Sequence, residues 1–144
     1  MPRVEKSALV PFSAQAMFDL VADVDDYVNF LPWCSDSHLD SKDDERICGT
    51  IEVSRAGIKQ AFSTCNRLFP PSKMEIELKD GPFSQLSGAW EFQPLRDDAC
   101  KVVLILDFSF SGKLINAAFG KVFHQIANNM VEAFCKRAKE VYGG

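Results

Sequence analysis

The feature that most constrains this chain is a change of period near its C-terminal end. From Ile47 to Phe110 apolar residues recur at every second position; from Leu114 to Val141 they recur at three- and four-residue spacing. A period of two alternates side chains between the two faces of a strand, and a period near 3.6 keeps them on one stripe of a helix. The C-terminal segment contains no proline and one glycine, Gly120, so the spacing predicts one uninterrupted helix. Its roughly 28 residues would span about 42 Å at 1.5 Å per residue. That exceeds the usual helix of a globular domain. An apolar stripe of that length needs a partner of matching size, and the preceding strands supply one.

The strands are legible one at a time. Ile47, Gly49, Ile51 and Val53 alternate with Cys48, Thr50, Glu52 and Ser54. Between Ile58 and Leu68, Phe62 shares a face with Leu68, opposite Lys59 and Arg67. Met74, Ile76 and Leu78 alternate with charged residues, and Leu86, Gly88, Trp90 and Phe92 alternate with Ser87, Ala89, Glu91 and Gln93. Val102, Leu104, Leu106, Phe108 and Phe110 share one more face. The links carry turn residues (Asp43-Asp44, Ala56-Gly57, Pro70-Pro71, Asp80-Gly81-Pro82, Asp97-Asp98) and are short, which means antiparallel hairpins.

Upstream, Val4 to Val10 reads as a first strand stopped by Pro11. Ser13 is a good N-cap for a short helix with the stripe Ala14, Met17, Phe18, Val21, ending near Val24. Asp25 is expected to cap a second short helix that carries Tyr27, Phe30 and Leu31 and stops at Pro32. An early strand is expected around His38. The long helix presents Ile115, Phe119, Val122, Ile126, Met130, Ala133 and Val141 near one face, widened by Phe123 and Phe134. Strands and helices in blocks mean α+β. The expectation is one domain over residues 1–144: a curved antiparallel sheet of about six to seven strands wrapped around the long helix.

Charge and composition narrow the function. The formal net charge is −4, so the chain lacks the global positive field of a DNA-binding protein. The charge is uneven, with residues 112–144 at +3 and residues 1–111 at −7. Two histidines, His38 and His124, are scant material for catalysis, and no HExxH, GxSxG or P-loop spacing occurs. The expectation is a non-catalytic protein. The five cysteines (Cys34, Cys48, Cys65, Cys100, Cys135) are odd in number, widely spaced and without a CxxC, so neither a disulfide framework nor a zinc site is expected. They read instead as small buried apolar residues in a reducing compartment. No signal peptide, transit sequence or membrane-length apolar run is seen, which points to the cytoplasm. Phe is abundant, 12 against 2 Tyr and 2 Trp. Lacking a polar tip, it can only line a core or an apolar pocket.

Several strings in this order resemble the START-like, or helix-grip, superfamily, in its coenzyme-Q-binding/RatA branch. They are Ser7-Ala8-Leu9-Val10, Asp23-Val24-Asp25-Asp26-Tyr27, Phe30-Leu31-Pro32-Trp33-Cys34, Gly81-Pro82-Phe83, Gly88-Ala89-Trp90-Glu91-Phe92, and Met130 through Ala138. Val28 departs from the proline the branch often has after the tyrosine. The resemblance implies two activities. Mitochondrial members bind ubiquinone and support respiration. Bacterial RatA-type toxins bind the large ribosomal subunit and block its association with the small one. Some START-like relatives are cyclases or hydrolases.

The first expectation is a cavity between sheet and C-terminal helix that shields an isoprenoid quinone, with no required cofactor. Burial of apolar surface would drive binding at about 25 cal/mol per Å². The expected lining is Trp33, Phe62, Thr64, Met74, Trp90, Phe92, Leu104, Phe108, Phe119, Val122, Ile126 and Met130. Gln60, Thr64 and Asn66 share parity with Phe62, so some point inward as polar contacts for a quinone head, and the indoles of Trp33 and Trp90 add donors. The Phe30–Trp33 stretch is a candidate pocket mouth or peripheral membrane contact. The alternative expectation is contact with ribosomal RNA or an acidic surface through Lys121, Lys136, Arg137 and Lys139.

Overall fold

The computed structural model describes residues 3–143, with the side chains of Ile115 and Asn116 outside that description. The elements are β1 (Arg3–Val10), α1 (Ala14–Ala22), a single 3₁₀ turn (Val24–Asp26), α2 (Tyr27–Phe30), β2 (Cys34–Lys42), β3 (Arg46–Arg55), β4 (Ile58–Phe69), β5 (Lys73–Asp80), β6 (Phe83–Arg96), β7 (Ala99–Phe110) and α3 (Lys113–Tyr142). The seven strands form one antiparallel sheet in the order β1-β7-β6-β5-β4-β3-β2. Consecutive strands from β2 to β7 pair as hairpins, and β1 closes on β7 with Val4 opposite Leu106. The chain therefore passes from one sheet edge to the other through α1, the 3₁₀ turn and α2.

Local chemistry explains the boundaries. The Ser13 hydroxyl accepts from the Ala16 N–H at 3.0 Å and starts α1. Asp25 does not cap α2. Its carboxylate accepts instead from the Leu39 N–H on β2 at 2.8 Å, so the acidic turn is tied to an edge strand rather than to its own helix. Ala56 and Gly57 both have positive φ (54° and 80°), the signature of a two-residue turn that matches the twist of a β3–β4 hairpin. Gly88, mid-strand in β6, is required by close approach: a Cβ there would lie 1.9 Å from the Ile105 carbonyl oxygen of β7.

The core lies on one face of the sheet. α3 packs across β1 and β7 and reaches β4, while α1 packs beside it on β6 and β7. The inward residues of β6 and β7, Leu86, Trp90, Phe92, Val102, Leu104, Leu106 and Phe108, are buried, as are Phe119, Val122, Phe123, Ile126, Val131 and Phe134 of α3. This is a helix-grip fold. No described helix is long and apolar enough to cross a membrane.

One cysteine expectation is overturned. Cys48 and Cys65 form a disulfide. They stand directly opposite each other in the β3–β4 register, with Cα atoms 4.1 Å apart. Sequence spacing alone does not reveal that pairing, because the hairpin register sets it. Cys34, Cys100 and Cys135 are free thiols.

Candidate functional site

Between α3 and the sheet a cavity of about 80 Å³ remains. α3 contributes Phe123, Met130 and Phe134; β4 contributes Phe62, Thr64 and Asn66; Ile76, Leu86, Trp90, Leu104 and Leu106 come from β5, β6 and β7. Ile51 of β3 and Tyr27 of α2 complete the wall. The expected gap between sheet and helix thus exists, but it is small. An engineered cavity of about 150 Å³ takes benzene, and a water claims about 30 Å³. Pockets for drug-sized ligands run to several hundred Å³.

Phenylalanine explains the size. At one end Phe123 lies 4.9 Å from both Phe83 and Phe108, ring centre to ring centre, and Phe119 and Phe110 pack around them. At the other end Phe134 meets the rings of Tyr27, Phe30 and Trp90 edge-on at 5.2–5.3 Å. Trp90 in turn stacks on Phe92. Edge-to-face clusters of this kind bury much area and leave little void.

The polar groups inside are few. The Asn66 side chain donates from Nδ2 to the Met74 sulfur at 3.6 Å, while its Oδ1 is buried without a hydrogen-bond partner. The Tyr27 hydroxyl donates to the Val21 carbonyl. Burial, reinforced by the nearby Asp23 and Cys34, pushes the phenol well above its ordinary pKa. It therefore stays a neutral donor committed to the backbone.

Of the residues expected to line the site, Phe62, Thr64, Trp90, Leu104 and Met130 do so, and Asn66, singled out by parity, joins them. Gln60 is not among the lining residues. Met74, Phe92, Phe108, Phe119, Val122 and Ile126 are buried in packed core beyond the wall. Trp33 and Leu31 are buried too, at 6% and 2% exposure. These two help close the fold, while Phe30 is half-buried and Pro32 exposed along a surface groove shared with α3. Ile115 lies outside the described side chains. The lining residues not anticipated were Tyr27, Ile51, Ile76, Leu86, Leu106, Phe123 and Phe134. All sat on the correct apolar faces in the sequence, Tyr27 on the apolar side of the second short helix; periodicity gives a face but not which part of it borders a void.

The four candidate cations divide. Arg137 is taken up internally: its Nη2 lies 3.4 Å from both Asp26 carboxylate oxygens, and Nη1 is 3.7 Å from Glu140. Its guanidinium also sits 5.1 Å from the Phe30 ring centre. It thereby pins the 3₁₀ turn and α2 to α3 instead of facing solvent as a free cation. Lys121, Lys136 and Lys139 are exposed, with no carboxylate within 4.0 Å among the described residues.

The histidines lie apart from the cavity. His38 is on β2 between Asp36 (3.6 Å) and Asp40 (3.1 Å), half exposed. His124 is exposed on α3 with its ring 6.0 Å from Phe108. Among the described residues, no three His, Cys, Asp or Glu side chains are grouped to hold a metal ion.

Comparison with known proteins agrees with this architecture. The family model described as polyketide cyclase / dehydrase and lipid transport matches residues 10–135. A ribosome association toxin RatA of Vibrio cholerae is 49% identical over 143 residues, covering 99% of each chain. A mitochondrial coenzyme Q-binding protein COQ10 homolog B of Xenopus laevis is 29% identical over 142 residues, covering 96% of this chain and 58% of its own. The crystal structure of an aromatase/cyclase from a Streptomyces species superposes with a TM-score of 0.81 at 18% identity, covering 96% and 93% of the two chains, and shares the fold. The chain belongs to the polyketide cyclase / dehydrase and lipid transport family, among the relatives named RatA.

Proposed function

We propose that this chain controls ribosome association: it binds the large ribosomal subunit and hinders joining with the small one, without catalysing a reaction. The observation that carries this is the near end-to-end match to a protein named for that activity, at 49% identity over 143 residues. The cavity argues the same way, because about 80 Å³ is too little for an isoprenoid quinone in the conformation described. The test is reassembly of purified subunits followed on a sucrose gradient. A stoichiometric excess of the protein should lower the 70S peak and co-sediment with the large subunit. An unchanged 70S peak, with the protein left at the top of the gradient, would refute the proposal.

A second function is favoured by one feature of the cavity. Its apolar wall carries the unpartnered Asn66 Oδ1, with Thr64 beside it in the lining. Such a wall suits a hydrophobic molecule with a small polar head, and ubiquinone is the ligand named for the COQ10 relative. The tail would be accommodated only if α3 and the sheet moved apart. Organic extraction and mass spectrometry of the purified protein decides this. An isoprenoid lost on filling the cavity with Met130→Trp would support quinone binding, and no isoprenoid in repeated wild-type preparations would remove it.

A further inference from the structure

We propose that the outward face of α3 is an RNA-docking surface with Lys121, Lys136 and Lys139 as its phosphate contacts; the assignment rests on the ribosome-binding function above. Eighteen residues separate Lys121 from Lys139, which is about five helical turns, so the two project in the same direction about 27 Å apart. Gln125 and Glu132 fall between them on the same stripe, and Lys136 lies about 60° to one side. The stripe is opposite the one buried against the sheet, so none of these side chains contributes to the core.

Attraction of lysines to the negative end of the helix dipole accounts for Lys139 in the last turn. It does not account for Lys121, far from that end. On the strands some cations are held by carboxylates, Arg3 with Asp107 at 2.7 Å, Lys59 with Glu52 at 3.8 Å and Lys73 with Glu75 at 3.2 Å, and others such as Arg46 and Lys79 stand among an excess of acidic residues. The chain outside residues 112–144 sums to −7 and would repel a polyanion. The α3 face is thus where a polyanion meets least repulsion. Lys121 and Lys139, in line along the helix with Lys136 to one side, form an extended cationic strip. It fits a phosphate backbone, whose charges recur along a line. Glu132 sits inside the row and opposes such a partner.

The test is co-sedimentation with purified large ribosomal subunits over a range of salt concentrations. Lys121→Glu with Lys139→Glu should weaken binding about tenfold or more and lower the slope of log affinity against log salt by about two, one for each phosphate left without its lysine. Glu132→Gln should tighten binding several-fold, which damage to the fold would not do. Arg46→Glu with Lys79→Glu, the same charge change on exposed strand positions, should leave affinity within about twofold, because those positions face no phosphate in this arrangement. Binding by the α3 double variant within twofold of wild type overturns the proposal. So does weakened binding of that variant when the wild type is insensitive to salt, because the surface would then be meeting a ribosomal protein. Failure of the wild type to bind subunits at any salt concentration instead removes the ribosome-binding function and this surface with it.

Discussion

Replacing Asn66 by leucine probes what occupies the cavity. Asn66 Oδ1 is buried with no partner, and Nδ2 makes only a 3.6 Å contact to the Met74 sulfur. A buried polar atom left unpaired costs about 1–3 kcal/mol, and a weak neutral hydrogen bond returns less than about 1. Leucine has the same count of side-chain heavy atoms and the same branching as asparagine, removes both polar atoms and adds apolar surface to the wall that also holds Phe62 and Trp90. If the cavity is dry, Asn66→Leu should stabilise the protein by about 1–2 kcal/mol. For a chain of this length that raises the melting temperature by about 3–8 °C. Urea unfolding followed by the fluorescence of Trp33 and Trp90 would read it, with an unchanged m-value marking a change in stability alone. A variant less stable than wild type by about 1 kcal/mol or more would refute the reasoning, since Asn66 would then be satisfied by a donor held in the cavity. Repeating the measurement after lipid extraction separates the two donors: a deficit that vanishes was a ligand's, and one that persists was water's.

Other outcomes follow from particular contacts. Gly88→Ala should destabilise by about 3 kcal/mol or more, at the upper end of what single substitutions do, because its Cβ would meet backbone, the Ile105 carbonyl oxygen at 1.9 Å, which cannot rotate away; thermal unfolding checks it. Asp23 has its carboxyl pKa raised, first by burial and then by Asp26 and Asp25. A carboxyl raised in the folded state makes folding more favourable as pH falls through that range, and the benefit is lost as the group ionises. Asp23→Asn should therefore gain a few tenths of a kcal/mol near neutral pH and flatten stability against pH just above the ordinary carboxylate range, which denaturation at several pH values would show. Alkylation under denaturing conditions should count three thiols of the five cysteines, with Cys48 and Cys65 labelled only after reduction. Denaturation is needed because burial pushes the Cys135 thiol up to about 11, leaving little thiolate in the native protein at neutral pH.

Periodicity made most of the fold legible. The inward sets on β6 and β7, from Leu86 to Phe92 and from Val102 to Phe108, are the residues the alternation put on one face. Ser13 capped α1 as its side chain and position required. These are local properties, since a strand's faces and a helix's stripe follow from the period of the backbone itself. The family was legible as well, because each string that carries it is a short run of consecutive residues.

What the site became was settled by contacts between residues far apart in the chain. Arg137 looked like a free surface cation until Asp26, 111 residues away, was placed beside it. Cys48 and Cys65 became a bonded pair through the hairpin register. The room left between α3 and the sheet depends on how Phe123 and Phe134 meet rings from other elements. The amino-acid order alone establishes which faces are apolar and which end is basic, because those are sums over neighbours along the chain. How much space survives between two apolar faces is a small difference between large packed volumes, and only the three-dimensional arrangement gives it.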